Sequence, residues 1–318
     1  CGRMSSSSFD AASVAASVFE DGKFIVELKS VEIGICVRSC SPSPPPPKPI
    51  LICYPVQAGQ FPILLFLHGY LLYNYYYSQL IQHIASHGFI VVAPQLYSVA
   101  GPNVTEEIKS TAAIKKWLNE GLQKLLPLDV HANLSKIGLA GHSRGGKTAF
   151  ALALQKAYSE LKFSLLIGVD PVDGMGIGKQ TPPPVLTYVP RSFAINFPVM
   201  VIGSGLGEVR RNPFFPPCAP KGVSHEEFFS ECRAPACYFV VKEYGHTDML
   251  DDDTRGVIGV ASHCLCKNGK SREPMRRFVG GVMVAFMRAY MDGDDTDLEA
   301  VRHGHTGPVE LQAVEFLL

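Results

Sequence analysis

Residues 134–160 read LSKIGLAGHSRGGKTAFALALQKAYSE, and this stretch decides the fold. Residues 134–140 have the apolar character of a strand, and residues 147–160 have the spacing of a helix. The hexapeptide Gly141-His142-Ser143-Arg144-Gly145-Gly146 joins them, which is the setting in which G-x-S-x-G forms a nucleophile elbow. Glycines let strand and helix approach closely, and the helix N-terminus favours a developing negative charge. We therefore expect Ser143 to be a nucleophile, the alternative being a glycine-rich turn with an incidental serine.

The composition describes a globular chain without a charged field. The chain has 318 residues, of which 47% are hydrophobic and 18% charged, and Lys plus Arg equals Asp plus Glu at 29 each. A balanced charge favours neither nucleic acid nor an anionic membrane as a partner. No apolar run reaches the roughly 18 residues that a transmembrane helix needs. We therefore expect no nucleic acid partner and no transmembrane segment, while peripheral contact with a membrane remains open.

Predicted strands and helices alternate along the chain. We expect two opening strands within residues 24–38, and apolar runs predict further strands at Ile50–Tyr54, Ile63–Leu67, Phe89–Ala93, Lys136–Ala140, Ser164–Val169, Val199–Ile202 and Tyr238–Val241. Helical spacing predicts helices at Tyr77–Ser86, Ile108–Leu122, Lys147–Glu160 and Arg276–Tyr290, the last of which closes the fold. This order predicts an α/β fold of the α/β-hydrolase type, with a mostly parallel sheet covered by helices on both faces. We expect residues 1–20 to be a flexible N-terminal extension and residues 21–318 to form one domain.

A general base for the serine is found after the last predicted parallel strand. The segment Tyr244–Leu250 follows that strand and contains Gly245-His246. Histidine titrates near neutral pH, and catalytic groups of such sheets lie beyond the carboxyl ends of the strands. We therefore expect His246 to be the base. His225, His263, His303 and His305 lie in loop or tail sequence, and we expect them at the surface.

Three acids compete to orient the histidine. Asp170 directly ends the buried strand Leu165–Val169, Asp173 lies beyond a proline in the same loop, and Glu208 follows the next strand. A buried carboxylate at a strand tip can hold the imidazole tautomer and stabilise its cation. We favour Asp170, because Glu208 begins a charged stretch that is typical of a solvated loop. With either choice the chain order is serine, acid, histidine, as in α/β-hydrolases.

The loop after Ile63–Leu67 contains His68-Gly69-Tyr70. In the α/β-hydrolase pattern this loop supplies one oxyanion donor, and the residue after the nucleophile supplies the other. We therefore expect the backbone N–H groups of Tyr70 and Arg144 to form the oxyanion hole. For the His68 side chain we favour a bracing role in this loop.

Apolar and aromatic residues flank the predicted site in two loops. Leu71, Leu72 and Tyr73 follow the oxyanion loop, and Phe214 and Phe215 follow Glu208. Such side chains could stack on a ring system or line a channel for an apolar chain, so we expect these five to bind substrate. Core packing is an equal alternative for Tyr75 to Tyr77.

The nine cysteines do not have the spacing of a zinc site. Cys218, Cys232 and Cys237 cluster in one predicted loop region, where a disulfide could form, and free thiols are an equal alternative. We expect no protein-bound metal and no cofactor.

Six segments together resemble, in the same order, segments of the plant chlorophyllases. They are His68-Gly69, residues 85–94, the serine hexapeptide, residues 167–172, residues 201–207 and Tyr244–Leu250. The resemblance covers about residues 18–290. It implies hydrolysis of the phytyl ester of chlorophyll to chlorophyllide and phytol by a triad of Ser143, Asp170 and His246. Any magnesium would arrive inside the substrate.

Two other functions remain open. A general carboxylesterase or lipase of the same fold would use the same serine on other apolar esters. A non-catalytic ligand-binding member of the fold would be indicated by a damaged triad, yet all three predicted members are present. The compartment remains open, with the chloroplast favoured over the cytosol and endomembranes. The sequence does not distinguish chlorophyll a, chlorophyll b and pheophytin as substrates.

Overall fold

The computed structural model describes residues 17–33 and 44–318, apart from the side chains of residues 258 and 261–263. Residues 1–16 lie outside this description, and they make up most of the predicted N-terminal extension. Residues 34–38, the end of the region in which two opening strands were predicted, also lie outside it. Val18 and Phe19 pack against the core and are almost fully buried. The predicted division at residue 20 stays a prediction.

A single sheet organises the described part of the chain. Its strands are Val26–Val31 (β1), Ile50–Pro55 (β2), Gly59–Leu67 (β3), Ile90–Pro94 (β4), Val130–His142 (β5), Leu165–Val169 (β6), Val199–Ser204 (β7), Ala236–Val241 (β8) and Leu311–Leu317 (β9). Their order across the sheet is β1-β2-β4-β3-β5-β6-β7-β8-β9. The six strands β3 to β8 pair with one another in parallel, whereas β1, β2 and β9 pair antiparallel at the two edges. The mostly parallel sheet predicted from the sequence is confirmed.

Helices cover both faces of the sheet. They are Ser78–Ser86 (α1), Thr105–Gly121 (α2), Arg144–Leu154 (α3), His225–Glu231 (α4), Gly256–Leu265 (α5), Glu273–Met287 (α6) and Thr296–Arg302 (α7). One core cluster joins α1, α6 and α7 to one face, and a second joins α2, α3 and α4 to the other. The inner strands are buried on both faces over most of their length, which explains their continuous apolar runs, whereas the edge strands β1 and β9 are largely exposed.

The structure corrects two expectations about the ends of elements. Helix α3 ends at Leu154, not at Glu160, because Gln155 is in extended conformation. The chain does not close on the helix that we predicted at Arg276–Tyr290, since β9 follows it and pairs with β8. Of the helices that the structure describes, none is long and apolar enough to cross a membrane.

Candidate active site

Ser143 occupies a tight turn between β5 and α3. Its φ of 55° and ψ of −120° are unusual for a residue with a side chain, and its N–H donates to the carbonyl of Val169 at 2.9 Å. The turn depends on its glycines. A Cβ on Gly141 would lie 2.3 Å from the carbonyl carbon of Gly145, and one on Gly145 would lie 2.3 Å from the carbonyl oxygen of Leu67. The backbone therefore has the geometry of a nucleophile elbow.

Ser143, His246 and Asp170 form one hydrogen-bonded line. The Oγ of Ser143 lies 2.8 Å from Nε2 of His246, and the Nδ1 of His246 lies 2.7 Å from Oδ2 of Asp170. A carboxylate can only accept, so Nδ1–H donates to Asp170 and Nε2 is free to accept the serine proton. The three residues come from the loops after β5, β6 and β8, and each is almost completely buried. This arrangement can deprotonate the serine hydroxyl.

Asp170 is held as a carboxylate by its surroundings. Its backbone has a φ of 44°, and its Oδ1 and Oδ2 accept from the N–H and hydroxyl of Ser204 at 3.2 and 2.5 Å. Burial alone would raise the pKa of the Asp170 carboxyl, but the hydrogen bond and charge of His246, with help from His225 and Ser204, outweigh it. The result is a pKa of about 2. The group is therefore ionised at neutral pH and can stabilise an imidazolium.

The two competing acids lie elsewhere. Asp173 forms a buried ion pair with Lys147 at 2.7 Å and accepts from the N–H groups of Val185 and Leu186. Glu208 lines a separate cleft that also contains His225 and Arg191. Burial raises the pKa of the Glu208 carboxyl. Of the three acids considered from the sequence, the structure brings Asp170 to His246.

His225 is a site residue that the sequence interpretation missed. We expected it at the surface, and this is wrong, because its side chain is buried behind the acid. Its Nε2 lies 3.9 Å from Oδ1 of Asp170, and its Nδ1 lies 2.7 Å from the hydroxyl of Tyr238. The sequence contained a signal for the helix, since Ser224 and Glu227 form a capping box that starts α4 at His225, but that signal does not predict that the ring is buried.

The predicted oxyanion donors belong to the loop after β3 and to the first turn of α3, and Tyr70 lines the same clefts as Ser143. Gly69 to Leu72 form a tight turn in which the N–H of Leu72 donates to the carbonyl of Gly69 at 3.2 Å, and Leu71 has a φ of 54°. Tyr70 lies inside this turn, and Arg144 is the first residue of α3. Within the described residues neither the Tyr70 N–H nor the Arg144 N–H donates to an acceptor. Two such N–H groups beside a nucleophile are suited to a developing oxyanion.

The Arg144 side chain supports the same turn. Its guanidinium is buried and binds the Glu107 carboxylate through Nε at 2.9 Å and through a second nitrogen at 2.5 Å. It also lies 5.5 Å from the ring centre of Tyr70 and 5.4 Å from that of Tyr97. Arg144 thus contains one predicted backbone donor and also contacts the aromatic side chain of the residue that contains the other.

His68 braces the oxyanion loop. Its Nε2 accepts from the N–H of Leu96 at 3.0 Å, so its Nδ1–H donates to the carbonyl of Gly69 at 2.9 Å. The hydroxyl of Tyr97 donates to the same carbonyl at 3.2 Å. Burial, more than any other effect, lowers the pKa of His68 to about 4, so this brace is neutral at physiological pH.

An apolar cavity of about 350 Å³ opens at the serine. Of the residues predicted to bind substrate, Leu71, Leu72 and Phe215 line it together with Tyr70. The remaining lining residues are Ser143, Met175, Pro216, Pro217, Cys218, His246, Thr247, Leu265 and Cys266. Tyr73 stacks on Tyr75 and does not line the cavity, and neither does Phe214, which is 91% exposed.

Part of the cavity wall is a disulfide. Cys218 is bridged to Cys266, 48 residues further along the chain. The sequence left open either a disulfide within the cluster of Cys218, Cys232 and Cys237 or free thiols at all three. Each alternative was right only in part, because Cys232 and Cys237 are buried free thiols whereas Cys218 pairs with a cysteine outside that cluster. The bridge fastens the loop that carries Phe215 to the end of α5.

A second cleft of about 310 Å³ shares the serine with the first. Ser143, Tyr70 and Met175 line both, and the second continues along Pro102 and Arg144, with Gly101, Val172, Gly174 and Thr181 completing its lining. Ser143 therefore lies where two clefts meet, which is the arrangement that an ester with large groups on both sides requires. Within the residues that the structure describes, no cluster of three or more His, Cys, Asp or Glu could hold a metal ion.

Comparisons with known proteins find similar sequences in one family. A family model described as Chlorophyllase matches residues 14–318. The chain is 56% identical to Chlorophyllase-2 of Arabidopsis thaliana over 315 residues, which cover 96% of this chain and 99% of that protein. It is 46% identical to Chlorophyllase-1 of Arabidopsis thaliana over 260 residues, or 80% of each chain. It is also 46% identical to the chloroplastic Chlorophyllase-1 of Citrus unshiu over 289 residues, which cover 89% of this chain and 85% of that protein.

Proposed function

Because the chain belongs to the chlorophyllase family, we propose that it hydrolyses the phytyl ester of chlorophyll to chlorophyllide and phytol. The family makes the chain a carboxylic-ester hydrolase. The observation that supports the mechanism most directly is the hydrogen-bonded line from Ser143 through His246 to Asp170 at the base of an apolar cavity.

In the first half of the reaction the serine oxygen attacks the ester carbonyl. His246 takes the proton of Ser143 through Nε2, and Asp170 stabilises the imidazolium that forms. The backbone N–H groups of Tyr70 and Arg144 bind the oxyanion of the tetrahedral intermediate. His246 then returns the proton to the departing alkoxide oxygen, so phytol leaves and the acyl group stays on Ser143.

In the second half water replaces phytol. His246 removes a proton from the water, whose oxygen attacks the acyl carbonyl, and the same two N–H groups bind the new oxyanion. Collapse breaks the bond to the Ser143 oxygen, which regains its proton from His246. The released acid is chlorophyllide, and the enzyme returns to its starting state without a cofactor.

The apolar cavity and its exposed rim suggest how the ester lies. The isoprenoid chain is flexible and wholly apolar, so we assign it to the cavity lined by Leu71, Leu72 and Phe215, whose 350 Å³ lies in the usual range of ligand pockets. The macrocycle is broad and flat, and we place it against the rim where Tyr70 and Phe215 are each about half exposed. Leu71, Leu72 and Phe215 stay predicted substrate residues with the support of their place in this cavity, whereas the structure offers no additional support for Tyr73 and Phe214.

One comparison of substrates tests this function against its nearest alternative, a general carboxylesterase or lipase. Purified protein is incubated with chlorophyll or with a short p-nitrophenyl ester, and chlorophyllide and p-nitrophenol are quantified. We expect kcat/KM for chlorophyll to exceed that for the short ester. A chain that cleaves the short ester and yields no chlorophyllide would be a general esterase.

We also propose that the protein acts in the chloroplast. Two Citrus relatives, 46% and 45% identical to this chain, carry the word chloroplastic in their names. Expression of the full-length protein with a C-terminal fluorescent fusion in leaf cells would test this. Fluorescence that coincides with chlorophyll autofluorescence would agree with the proposal, and fluorescence confined to the cytosol or endomembranes would contradict it.

A further inference from the structure

The histidine that directly precedes the nucleophile is buried and has two partners. The side chain of His142 is fully buried, with Nε2 at 2.8 Å from the carbonyl oxygen of His246 and Nδ1 at 2.7 Å from the hydroxyl of Tyr77. Because a carbonyl can only accept, Nε2 carries the proton of the neutral ring. Nδ1 must then accept from the Tyr77 hydroxyl.

Tyr77 extends this chain of hydrogen bonds to the oxyanion loop. Its hydroxyl oxygen, which donates to His142, also accepts from the N–H of Gly69 at 3.0 Å. A continuous line thus runs from Gly69 through Tyr77 and His142 to the carbonyl of His246. One end lies beside the proposed donor Tyr70, the other end is the backbone of the proposed base, and the centre adjoins the nucleophile.

The charge state of this line is fixed by burial. Burial, together with the neighbouring His246, lowers the pKa of His142 to about 3, and burial raises the pKa of the Tyr77 hydroxyl. Both side chains are therefore neutral across the physiological range, and the direction of each hydrogen bond does not change. The ring centres of His142 and His246 are 4.7 Å apart, so a charged His142 would oppose an imidazolium at His246.

We propose that His142 and Tyr77 are positioning residues. They hold the loop after β3, which contains Tyr70, and the loop after β8, which contains His246, in fixed positions relative to the nucleophile. These loops follow β3 and β8, which are separated by β5, β6 and β7 in the sheet. The ester carbonyl must meet groups from both loops at once, and an error of about 1 Å in such a geometry can cost on the order of 100-fold in rate. The proposal rests on the proposed function, since it assigns these loops to the oxyanion and the base.

Tyr77→Phe, with Tyr76→Phe as its matched control, tests the line of hydrogen bonds that runs from Gly69 through Tyr77 and His142 to His246. We call this line the relay. Both tyrosines are buried in the same short segment, but the Tyr76 hydroxyl donates to the carbonyl of Arg255 at 2.7 Å and has no part in the relay. Tyr77→Phe should lower kcat by about 10- to 100-fold with KM within about twofold of wild type. Tyr76→Phe should keep kcat within about threefold. It loses one hydrogen bond and Tyr77→Phe loses two, so both variants should melt earlier than wild type, and Tyr77→Phe more so.

A second pair of variants separates positioning from packing. In His142→Gln one amide oxygen can accept from Tyr77 while the amide nitrogen donates to His246, whereas His142→Leu keeps the bulk and loses both bonds. We expect His142→Gln to recover at least about tenfold in kcat over His142→Leu. Titration with a serine-directed phosphonate gives the active fraction of each sample, so that misfolded protein does not count as lost turnover.

The relay is overturned if Tyr77→Phe and Tyr76→Phe lose kcat equally, or if His142→Gln is no better than His142→Leu. All four variants are measured on the short ester as well as on chlorophyll. Wild-type protein that cleaves only the short ester would contradict the proposed substrate, while the comparison of variants on that ester would still decide the relay.

Discussion

Asp170→Asn should lower kcat for chlorophyll by about 10⁴-fold, which is the loss known for the matching change in a serine-protease triad. The reason lies in Ser204, whose N–H can only donate and faces Oδ1 of Asp170. The asparagine oxygen must therefore occupy the Oδ1 position, which turns its NH₂ toward Nδ1 of His246. Nδ1 then has to accept, so the imidazole proton moves to Nε2, where it prevents the ring from taking the proton of Ser143.

The magnitude can be set against the electrostatics of the site. A loss of 10⁴-fold corresponds to about 5.5 kcal/mol of transition-state stabilisation. The surroundings hold the pKa of Asp170 near 2, against an ordinary 3.8, which is about 2–3 kcal/mol in favour of the carboxylate despite full burial. The carboxylate is ionised from about pH 4 upward, so at neutral pH it stabilises the imidazolium, which the neutral amide of the variant cannot do.

The assay is the rate of chlorophyllide formation by both Asp170→Asn and Glu208→Gln, with folding checked by circular dichroism. Glu208→Gln is the control, because it makes the same chemical change in the competing acid, and it should stay within about threefold of wild type. Retention of a tenth of wild-type kcat by Asp170→Asn would refute the tautomer argument. A large loss in Glu208→Gln alone would move the acid to the loop after β7.

Three further outcomes are expected. Ser143→Ala should lose at least about 10⁴-fold in kcat and all labelling by a serine-directed phosphonate, and a variant with a tenth of wild-type turnover would exclude the serine. Phe215→Ala should weaken chlorophyll use by about 1–3 kcal/mol in kcat/KM and spare the short ester, whereas equal losses on both substrates would assign Phe215 to packing. As the pH is lowered through pH 5, the free energy of unfolding should fall by about 2–3 kcal/mol per pH unit. The cause is three buried histidines, His68, His87 and His142, whose folded-state pKa values of about 4, 4 and 3 prevent them from binding the protons that they bind below about pH 6.5 in the unfolded chain. Asp251, whose pKa burial raises to about 6, binds a proton in the folded state and so offsets one of the three, and a flat urea-unfolding profile between pH 6 and pH 4.5 would contradict the expectation.

The parallel strands were predictable from the sequence where they are buried on both faces and read as continuous apolar runs. Residues 131–133 of β5 are not buried, and the sequence did not predict this part of the strand. The serine elbow was predictable because its turn requires glycine. The contacts of Gly141 and Gly145 with neighbouring backbone leave no room for a side chain, so the two glycines mark the turn in the sequence. Asp170 and His246 follow from the same rule, as they directly end or follow such strands. These features are local, so a single sequence is enough to reveal them.

The features that were missed depend on long-range contacts. His225 is on a seven-residue helix whose polar sequence is typical of the surface, and only the packing of α4 against β7 and β8 brings its ring behind Asp170. The partner of Cys218 is 48 residues away, and spacing alone cannot identify such a pair. Strand β9 is an edge strand with little burial, so its sequence lacks the apolar run that identified the others.

The Cys218–Cys266 bridge means that the sequence alone does not define the wall of the apolar cavity. Oxidation after synthesis closes that wall, so a sample purified with a strong reductant and one purified without it are chemically different proteins. Ser143, His246 and Asp170 belong to other loops, and a short ester would be cleaved alike by both samples. Chlorophyll turnover would differ between them, so rates from separate preparations are comparable only when the thiol content of each has been counted.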